Sequence, residues 1–418
     1  MRRNWPILAY GWLMTLCSGF GQTYFVSVFG GVIRGDLGLS HTLYGTCYSA
    51  GTLASAVVLV WAGRLIDRIP LRTFSIATVL GLALATVLVA HAHSAAGLAF
   101  AFFATRFFGQ GMMIHAAITT MGRRFALERG RAVSLALTGH VAGSAVLPFV
   151  AVGLLGQMHW RSAWLLAGAA LVVAAVPSIV VLLAREARDT DREMRPDPPG
   201  AAAVETKPTS SAANATTATA ADWTLSQVLR DPGLYIRLGV LLAPAFITTG
   251  LIFHQVHVGA QKGWSLQLIA GALAAYAVGS FVMTLAAGPL VDRFTARRMV
   301  PTALAPLALS CLVLAAGHSD ASALTFFALM GLGTGLTQVL SGAIWAELYG
   351  TVHLGSIRAF AASASVLSSG LAPGAFGFLL DRGASVGSIA IGCALYCVAA
   401  SLLALTATRG LALPRQRL

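Results

Sequence analysis

Twelve apolar stretches, each long enough to cross a lipid bilayer, dominate this sequence. A transmembrane helix needs roughly 20 predominantly apolar residues. Such stretches occupy residues 7–33, 43–63, 73–91, 97–121, 132–155, 163–184, 234–259, 266–288, 299–316, 323–347, 357–380 and 387–408. Charged residues make up only 10% of the chain, whereas soluble domains carry about 25%. The sequence therefore predicts an all-α membrane protein with twelve transmembrane helices.

The net charge of +13 suggests a nucleic-acid partner at first sight, but its distribution argues against one. With the N-terminus in the cytoplasm, 23 of the 28 Lys and Arg residues fall on the cytoplasmic side of the spans. This is the usual bias of membrane proteins. The exceptions are Arg34, Arg161, Lys262 and Arg382 outside, and Arg106 within a span. We expect a multi-pass protein of the cell (inner) membrane with both termini in the cytoplasm.

A short motif occurs twice, at residues 63–72 (GRLIDRIPLR) and 288–298 (GPLVDRFTARR), which are 225 positions apart. Three residue pairs share this offset: Asp67 and Asp292, Gly130 and Gly355, and Pro148 and Pro373. Two like-oriented six-helix bundles, related by a pseudo-two-fold axis along the membrane normal, account for this pattern. We place the N-terminal bundle at 1–184 and the C-terminal bundle at 234–418. Pro148 and Pro373 each remove a helix hydrogen bond and are candidate gating positions.

Residues 185–233 separate the two predicted bundles. The stretch up to about Asp222 is rich in Ala, Thr, Ser and Pro, and such segments bury too little apolar surface to fold. We interpret it as a flexible cytoplasmic linker. Its end, from Trp223 to Arg237, is a candidate interfacial helix that Thr224 would cap. The five cysteines show no metal-binding or redox spacing, so we expect no metal or cofactor.

The repeated motif has the form Gly-x-x-x-Asp-Arg-x-x-x-Arg, and here the chain resembles the major facilitator superfamily over essentially its whole length. In that family this loop latches the halves together on the cytoplasmic side when the transporter opens outward. The resemblance implies a latch formed by Gly63, Asp67, Arg68 and Arg72, with a second copy at Gly288, Asp292, Arg293 and Arg297. Pro70 and Pro289 depart from the family pattern.

A closer resemblance is to the bacterial monocarboxylate-transporter-like branch of that family. It is carried by residues 121–125 (MGRRF), Arg129, 136–143, 160–164 (WRSAW) and 346–350 (AELYG). Well-studied members bind the substrate carboxylate with an Arg in span eight and carry an acid one turn earlier. The corresponding positions here are Thr284 and Ser280, and the basic residue of span one is also missing.

Polar residues at mid-span depth are candidates for a solute site. Arg106 lies about 14 Å from the outer end of its span, at roughly 1.5 Å per residue. It either binds an anionic solute or is a structural residue bonded to carbonyl groups of span one. The full set of substrate-binding candidates is Gln22, Tyr24, Arg106, His115, Tyr276 and Gln338. Candidates for proton coupling are His115, His140 and Glu347, with packed or interfacial roles as the alternative for each.

These features predict a secondary active transporter that moves a small organic solute by alternating access. A carboxylate-type anion, carried with or without protons, is favoured because Arg106 has no acid at comparable depth. The alternatives are a proton-coupled exporter of apolar or cationic drug-like compounds and a non-transporting sensor that signals through the linker. No assembled acid, nucleophile or metal cluster indicates an enzyme. We expect a functional monomer whose partners are the solute and membrane lipid.

Overall fold

The computed structural model describes residues 4–125, 128–194 and 223–410. Eleven of its helices are long and apolar enough to cross a membrane, and one bent helix pair brings the number of spans to twelve. We label them α1 (Trp5–Gly21 with Thr23–Leu37), α2 (His41–Asp67), α3 (Leu71–Ala90), α4 (Ala95–Arg124), α5 (Gly130–Leu155), α6 (Trp160–Arg185), α7 (Pro232–Phe253), α8 (Leu266–Phe294), α9 (Ala296–Ala316), α10 (Asp320–Tyr349), α11 (Leu354–Asp381) and α12 (Val386–Thr406). The predicted all-α, twelve-helix fold is confirmed. We call α1–α6 the N-terminal half and α7–α12 the C-terminal half.

Serine side chains begin four of the spans at one end of the molecule. Ser40, Ser94, Ser265 and Ser319 each accept a hydrogen bond from the backbone N–H three residues ahead. Such caps satisfy N–H groups that have no partner inside the helix. The four residues form two pairs at the same 225-residue offset as the repeated motif.

The turns before α2 and α8 repeat a second feature. Gly38 and Gly263 end the preceding helices in the left-handed conformation, with φ of 61° and 73°. This conformation favours glycine because a Cβ is disfavoured there. The two glycines are again 225 positions apart, so the duplication extends from sequence motifs to backbone geometry.

The two ends of the molecule differ in how the halves meet. We call the end with residues 38–40, 91–94, 263–265 and 317–319 the distal end, and the end with residues 68–70 and 350–353 the linker end. Gly45 of α2 packs against the Pro373 carbonyl of α11, and Gly377 packs against the His41 carbonyl. Gln255, in the helix Gln255–Lys262, donates a 2.8 Å bond to Ser27 of α1. The halves are therefore held together at the distal end.

The segment before α7 differs from its prediction. One helical turn, Leu225–Val228, replaces the predicted helix from Trp223 to Arg237. Thr224 caps this turn as expected, but Asp231 accepts a bond from the Gly233 N–H and starts α7 at Pro232. The helix containing α6 continues to Met194, beyond the predicted start of the linker at 185. The remaining linker residues, 195–222, lie outside the described residues.

Candidate functional site

A break in α1 lies at the centre of the N-terminal half. Gln22 adopts an extended backbone (φ −90°, ψ 154°), and the two parts of the helix meet at 43°. The N–H of Phe25, which would bond to the Gly21 carbonyl in a continuous helix, instead donates to the Gln22 carbonyl at 3.1 Å. The Gly21 carbonyl is therefore free to accept a bond from outside the helix.

Arg106 of α4 supplies that bond. Its Nη1 donates to the Gly21 carbonyl at 3.2 Å, and its side chain is buried. Its guanidinium carbon also lies 5.2 Å from the centre of the Tyr48 ring, within cation–π range. The structural partner considered for Arg106 in the sequence, a carbonyl of the first span, is thus present. The guanidinium Nε has no hydrogen-bond partner among the described residues.

Glycine at two positions permits this contact. A Cβ on Gly109 would lie 2.7 Å from Gly21 Cα, closer than real Cβ atoms approach. A Cβ on Gly21 would collide with the Thr105 carbonyl. Residues 106–113 of α4 also form a π-helical stretch, which widens the helix where it faces the break. The backbones of α1 and α4 therefore meet directly at the depth of Arg106.

Tyr48 links the Arg106 site to the distal contact between the halves. Its hydroxyl is 2.9 Å from the Thr23 hydroxyl, just after the break. Its ring lies 4.5 Å from that of Phe253 in the C-terminal half, and Tyr44 stacks on Phe253 at 4.9 Å. A displacement of Arg106 would therefore be transmitted to the interface between the halves through the Tyr48 ring.

Tyr24 and His140 lie beside the same break. Their rings meet edge to face at 5.6 Å, and Tyr24 is buried while His140 is half-buried. The Tyr24 hydroxyl and His140 Nδ1 have no hydrogen-bond partner among the described residues. An unpaired buried polar group costs about 1–3 kcal/mol. Tyr24, Arg106 and His140 therefore present three unpaired polar atoms around the break, where Gln22 is also buried.

Two other candidates are engaged within their own halves. His115 Nε2 lies 3.0 Å from the Gly63 carbonyl and joins α4 to α2. Glu347 accepts bonds from the N–H groups of Ala296 (2.8 Å) and Arg297 (3.3 Å), and so caps the start of α9. Neither residue belongs to the group around Arg106. Their proposed roles in binding or proton coupling stay predictions.

The C-terminal candidates are separate from each other. The Tyr276 backbone carbonyl of α8 packs against Gly331 of α10. The Tyr276 side chain lies beside Thr334. Gln338 of α10 is exposed and lines a cavity of about 280 Å³ between α7, α10 and α11. Arg358 of α11 lines the same cavity, although its place in the sequence indicated only a cytoplasmic charge. The internal repeat could have indicated that Arg358 is unusual, because the equivalent position in the N-terminal half, 225 residues earlier, is the apolar Val133.

The predicted latch residues lie at the linker end. Asp67 forms an ion pair with Arg123, which belongs to the same half. Arg68 and Arg72 are exposed, as is Asp292. In the second copy, Arg293 lies over the Phe294 ring at 5.3 Å, and Gly288 has open space around it. Their gating role, and that of Arg297, stays a prediction.

The sequence motifs did not predict the contacts that close the distal end. Asp381 of α11 accepts bonds from the N–H groups of His41 (3.0 Å) and Thr42 (2.7 Å) at the start of α2. The Gly374 N–H donates to the Ser49 hydroxyl at 3.1 Å. Pro148 and Pro373 lie inside the continuous helices α5 and α11. The Pro373 carbonyl lies 3.0 Å from Nε2 of His254, the residue directly after α7, so this proline belongs to the distal contact region.

The sequence profile of the Major Facilitator Superfamily matches residues 11–260 and 241–416. The chain belongs to this superfamily. Among solved structures, a bacterial homologue of the human lysosomal transporter Spinster is similar, with a TM-score of 0.67, 16% identity and 97% of each chain covered. The nucleoside transporter NupG is similar with a TM-score of 0.66 and 8% identity, over 97% of this chain and 99% of that one.

A gallate transporter of Pseudomonas putida is 30% identical over 200 residues. The match covers 44% of this chain and 42% of that protein, so it spans less than half of either. The superfamily match and the twelve spans identify the chain as a multi-pass membrane protein of the Major Facilitator Superfamily.

Proposed function

We propose that this protein transports a small organic carboxylate across the cell (inner) membrane by alternating access, in symport with protons. The group of unpaired polar atoms on Tyr24, Arg106 and His140 carries the proposal. A carboxylate supplies two acceptor oxygens and would pair with the Arg106 and Tyr24 donors. His140 would take up the coupled proton at Nδ1, which has no hydrogen-bond partner among the described residues. The similarity to a gallate transporter supports an aromatic carboxylate.

The distribution of contacts supports alternating access. Aromatic and backbone contacts close the distal end, and Tyr48 places one of the closing rings directly over Arg106. Binding at Arg106 would therefore act on the ring that also contacts Phe253 of the other half. We propose that the linker end and both termini lie in the cytoplasm, which follows the distribution of Lys and Arg. We also propose that, within the superfamily, the chain belongs to the monocarboxylate-transporter-like branch.

Proteoliposomes holding the purified protein test this function. Under an imposed pH gradient, we expect uptake of labelled gallate and benzoate but not of the lipophilic cation tetraphenylphosphonium. Arg106→Lys keeps the charge but loses the planar fork, so we expect uptake to fall about tenfold or more. His140→Gln should remove the effect of the pH gradient while leaving gallate exchange between the two sides intact. Cation transport without gallate uptake would instead establish the drug-exporter alternative.

A further inference from the structure

The cavity at Arg358 lies in the linker-end part of the C-terminal half, away from the break in α1. It has a volume of about 280 Å³ and opens between α7, α10 and α11. Its polar lining consists of Gln338, Ser341, Arg358 and Ser365. Its apolar lining includes Leu238 and Trp345. Pockets of this kind, mostly apolar with a few converging polar groups, are typical of small-molecule sites.

The polar side chains of this cavity are not engaged with the protein. In the described part of the chain, Gln338, Ser341, Arg358 and Ser365 form no side-chain hydrogen bond or ion pair. No Asp or Glu is among the described residues that line the cavity. Arg358 is the fifth residue of α11 and therefore lies about 6 Å along the helix, at roughly 1.5 Å per residue. Its exposed side chain therefore borders the cavity, whose described lining holds no acidic residue.

Local geometry directs Arg358 across the cavity toward α10. Its Nη2 lies 3.8 Å from the position that a Cβ on Gly342 would occupy. The absence of a side chain at Gly342 leaves that face of the guanidinium open. A guanidinium presents paired N–H donors that match the two oxygens of a carboxylate.

We propose that this cavity is a second binding site for an aromatic carboxylate, separate from the group around Arg106. Arg358 binds the carboxylate, while Gln338, Ser341 and Ser365 bind hydroxyl substituents of the ring. Leu238 and Trp345 contact the ring itself. The ligand class rests on the proposed function, whereas the location rests on the cavity alone. Its lining residues lie in the linker-end parts of α7, α10 and α11, so the site is nearer the linker end than Arg106 is.

Equilibrium binding of labelled gallate to the purified full-length protein in detergent tests the second site. We expect wild type to bind two molecules per chain and the Arg358→Gln variant to lose one site, its affinity falling at least about tenfold. Gly342→Leu should lose the same site without removing a charge, because its side chain enters the cavity beside the guanidinium. Arg382→Gln is the matched control. It ends the same helix at the distal end, over the Phe378 ring, and should bind two molecules.

The outcomes separate this inference from the function on which it rests. If wild type binds one gallate and Arg358→Gln binds it equally well, the second site does not exist, although carboxylate transport stands. If wild type neither binds nor transports any carboxylate, the proposed function fails and the second site fails with it. Unchanged thermal unfolding of Arg358→Gln shows that its lost site is a binding effect. If that variant does not fold, Gly342→Leu decides the question, and two bound gallates in it would overturn the inference.

Discussion

At the scale of single residues, Arg106 shows how a charge is accommodated inside a membrane protein. A basic side chain at the centre of a membrane helix costs about 2.5–3.5 kcal/mol on insertion scales. Here the break at Gln22 frees the Gly21 carbonyl, and Tyr48 adds an aromatic face. The break and the charge therefore stabilise each other, because the break frees a carbonyl acceptor and Arg106 provides the donor that pairs with it.

Replacing Tyr24 with Phe separates function from stability. The Tyr24 hydroxyl is buried and has no partner among the described residues, so its removal should leave stability unchanged or raise it by about 1 kcal/mol. We expect gallate uptake to fall several-fold, because the hydroxyl is a proposed ligand of the solute. Thermal unfolding in detergent and uptake in proteoliposomes measure the two effects.

The matched control is Tyr10→Phe in the same span. The Tyr10 hydroxyl is also buried but bonds to Ser75 at 2.7 Å. Its loss should lower stability by about 0.5–1.5 kcal/mol and leave uptake per folded molecule unchanged. Wild-type uptake by Tyr24→Phe would remove Tyr24 from the site.

Residue depth was predictable from sequence, but residue partners were not. Counting along the span placed Arg106 in the membrane interior, where it is buried. Its bond to Gly21 depends on the break in α1, and hydropathy cannot reveal a change in a single backbone torsion. His115 and Glu347 were selected for their chemistry, yet the structure pairs them with nearby backbone groups. Arg358 was missed because a charge near a predicted span end is normally a topology signal.

At the scale of helices, α2 and α11 meet through backbone rather than through long side chains. Gly45 faces the Pro373 carbonyl, and Gly377 faces the His41 carbonyl. Small residues let membrane helices approach closely, since lipid provides no hydrophobic force between them. The close contact lies where the distal end must separate if the solute is to reach the other side.

Gly45→Leu should prevent the distal end from closing. A Cβ at this position already collides with the Pro373 carbonyl, so α2 and α11 must move apart to admit a larger side chain. We expect gallate uptake to fall at least about tenfold, since one of two required states is lost. A cysteine at Ser49, in a cysteine-free background, should react faster with a membrane-impermeant maleimide when Gly45→Leu is present.

Gly153→Leu in α5 is the control for added bulk, because no atom of the described residues lies within 4 Å of a Cβ there. It should retain both uptake and slow labelling at position 49. Slow labelling in the Gly45→Leu protein would show that the contact does not govern closure.

The number and order of the helices were predictable because each span is a long apolar run. Predicted span ends differ from the observed ends by only a few residues in most spans. The short elements were not predictable in the same way. Residues 7–33 were predicted as one helix, although the sequence Gly-Phe-Gly-Gln-Thr at 19–23 holds the signal for a break: two small residues beside two polar ones. The helix predicted from Trp223 to Arg237 was too long, because Pro232 favours the start of a new helix and the first one ends at Val228.

At the scale of the whole molecule, the duplication explains the arrangement of the spans. The Gly38–Ser40 turn and the Gly263–Ser265 turn perform the same task before α2 and α8. Parallel repeats of this kind move largely as rigid bodies about a site between them. Alternating access therefore requires only that the contacts between the halves break at one end and form at the other.

A reversible cross-link between the halves tests this requirement. A Cβ on Gly374 would lie 3.3 Å from the Ser49 Oγ, so cysteines at both positions are placed to form a disulfide. In a cysteine-free background, Ser49→Cys with Gly374→Cys should lose uptake on oxidation and regain it on reduction. Each single variant should be insensitive to oxidant. Full uptake by the cross-linked protein, with the disulfide verified by mass spectrometry, would rule out separation at this end.

The bonds between Asp381 and the start of α2 also bear on how easily the distal end parts. When α11 withdraws, solvent molecules can hydrate the amides of His41 and Thr42 and the released carboxylate. Exchanging a hydrogen bond to a charged group for hydration costs about 1.5–3 kcal/mol. Two such bonds make the seal specific in its geometry, and breaking them costs a few kcal/mol, an amount that new contacts at the other end of the molecule can offset.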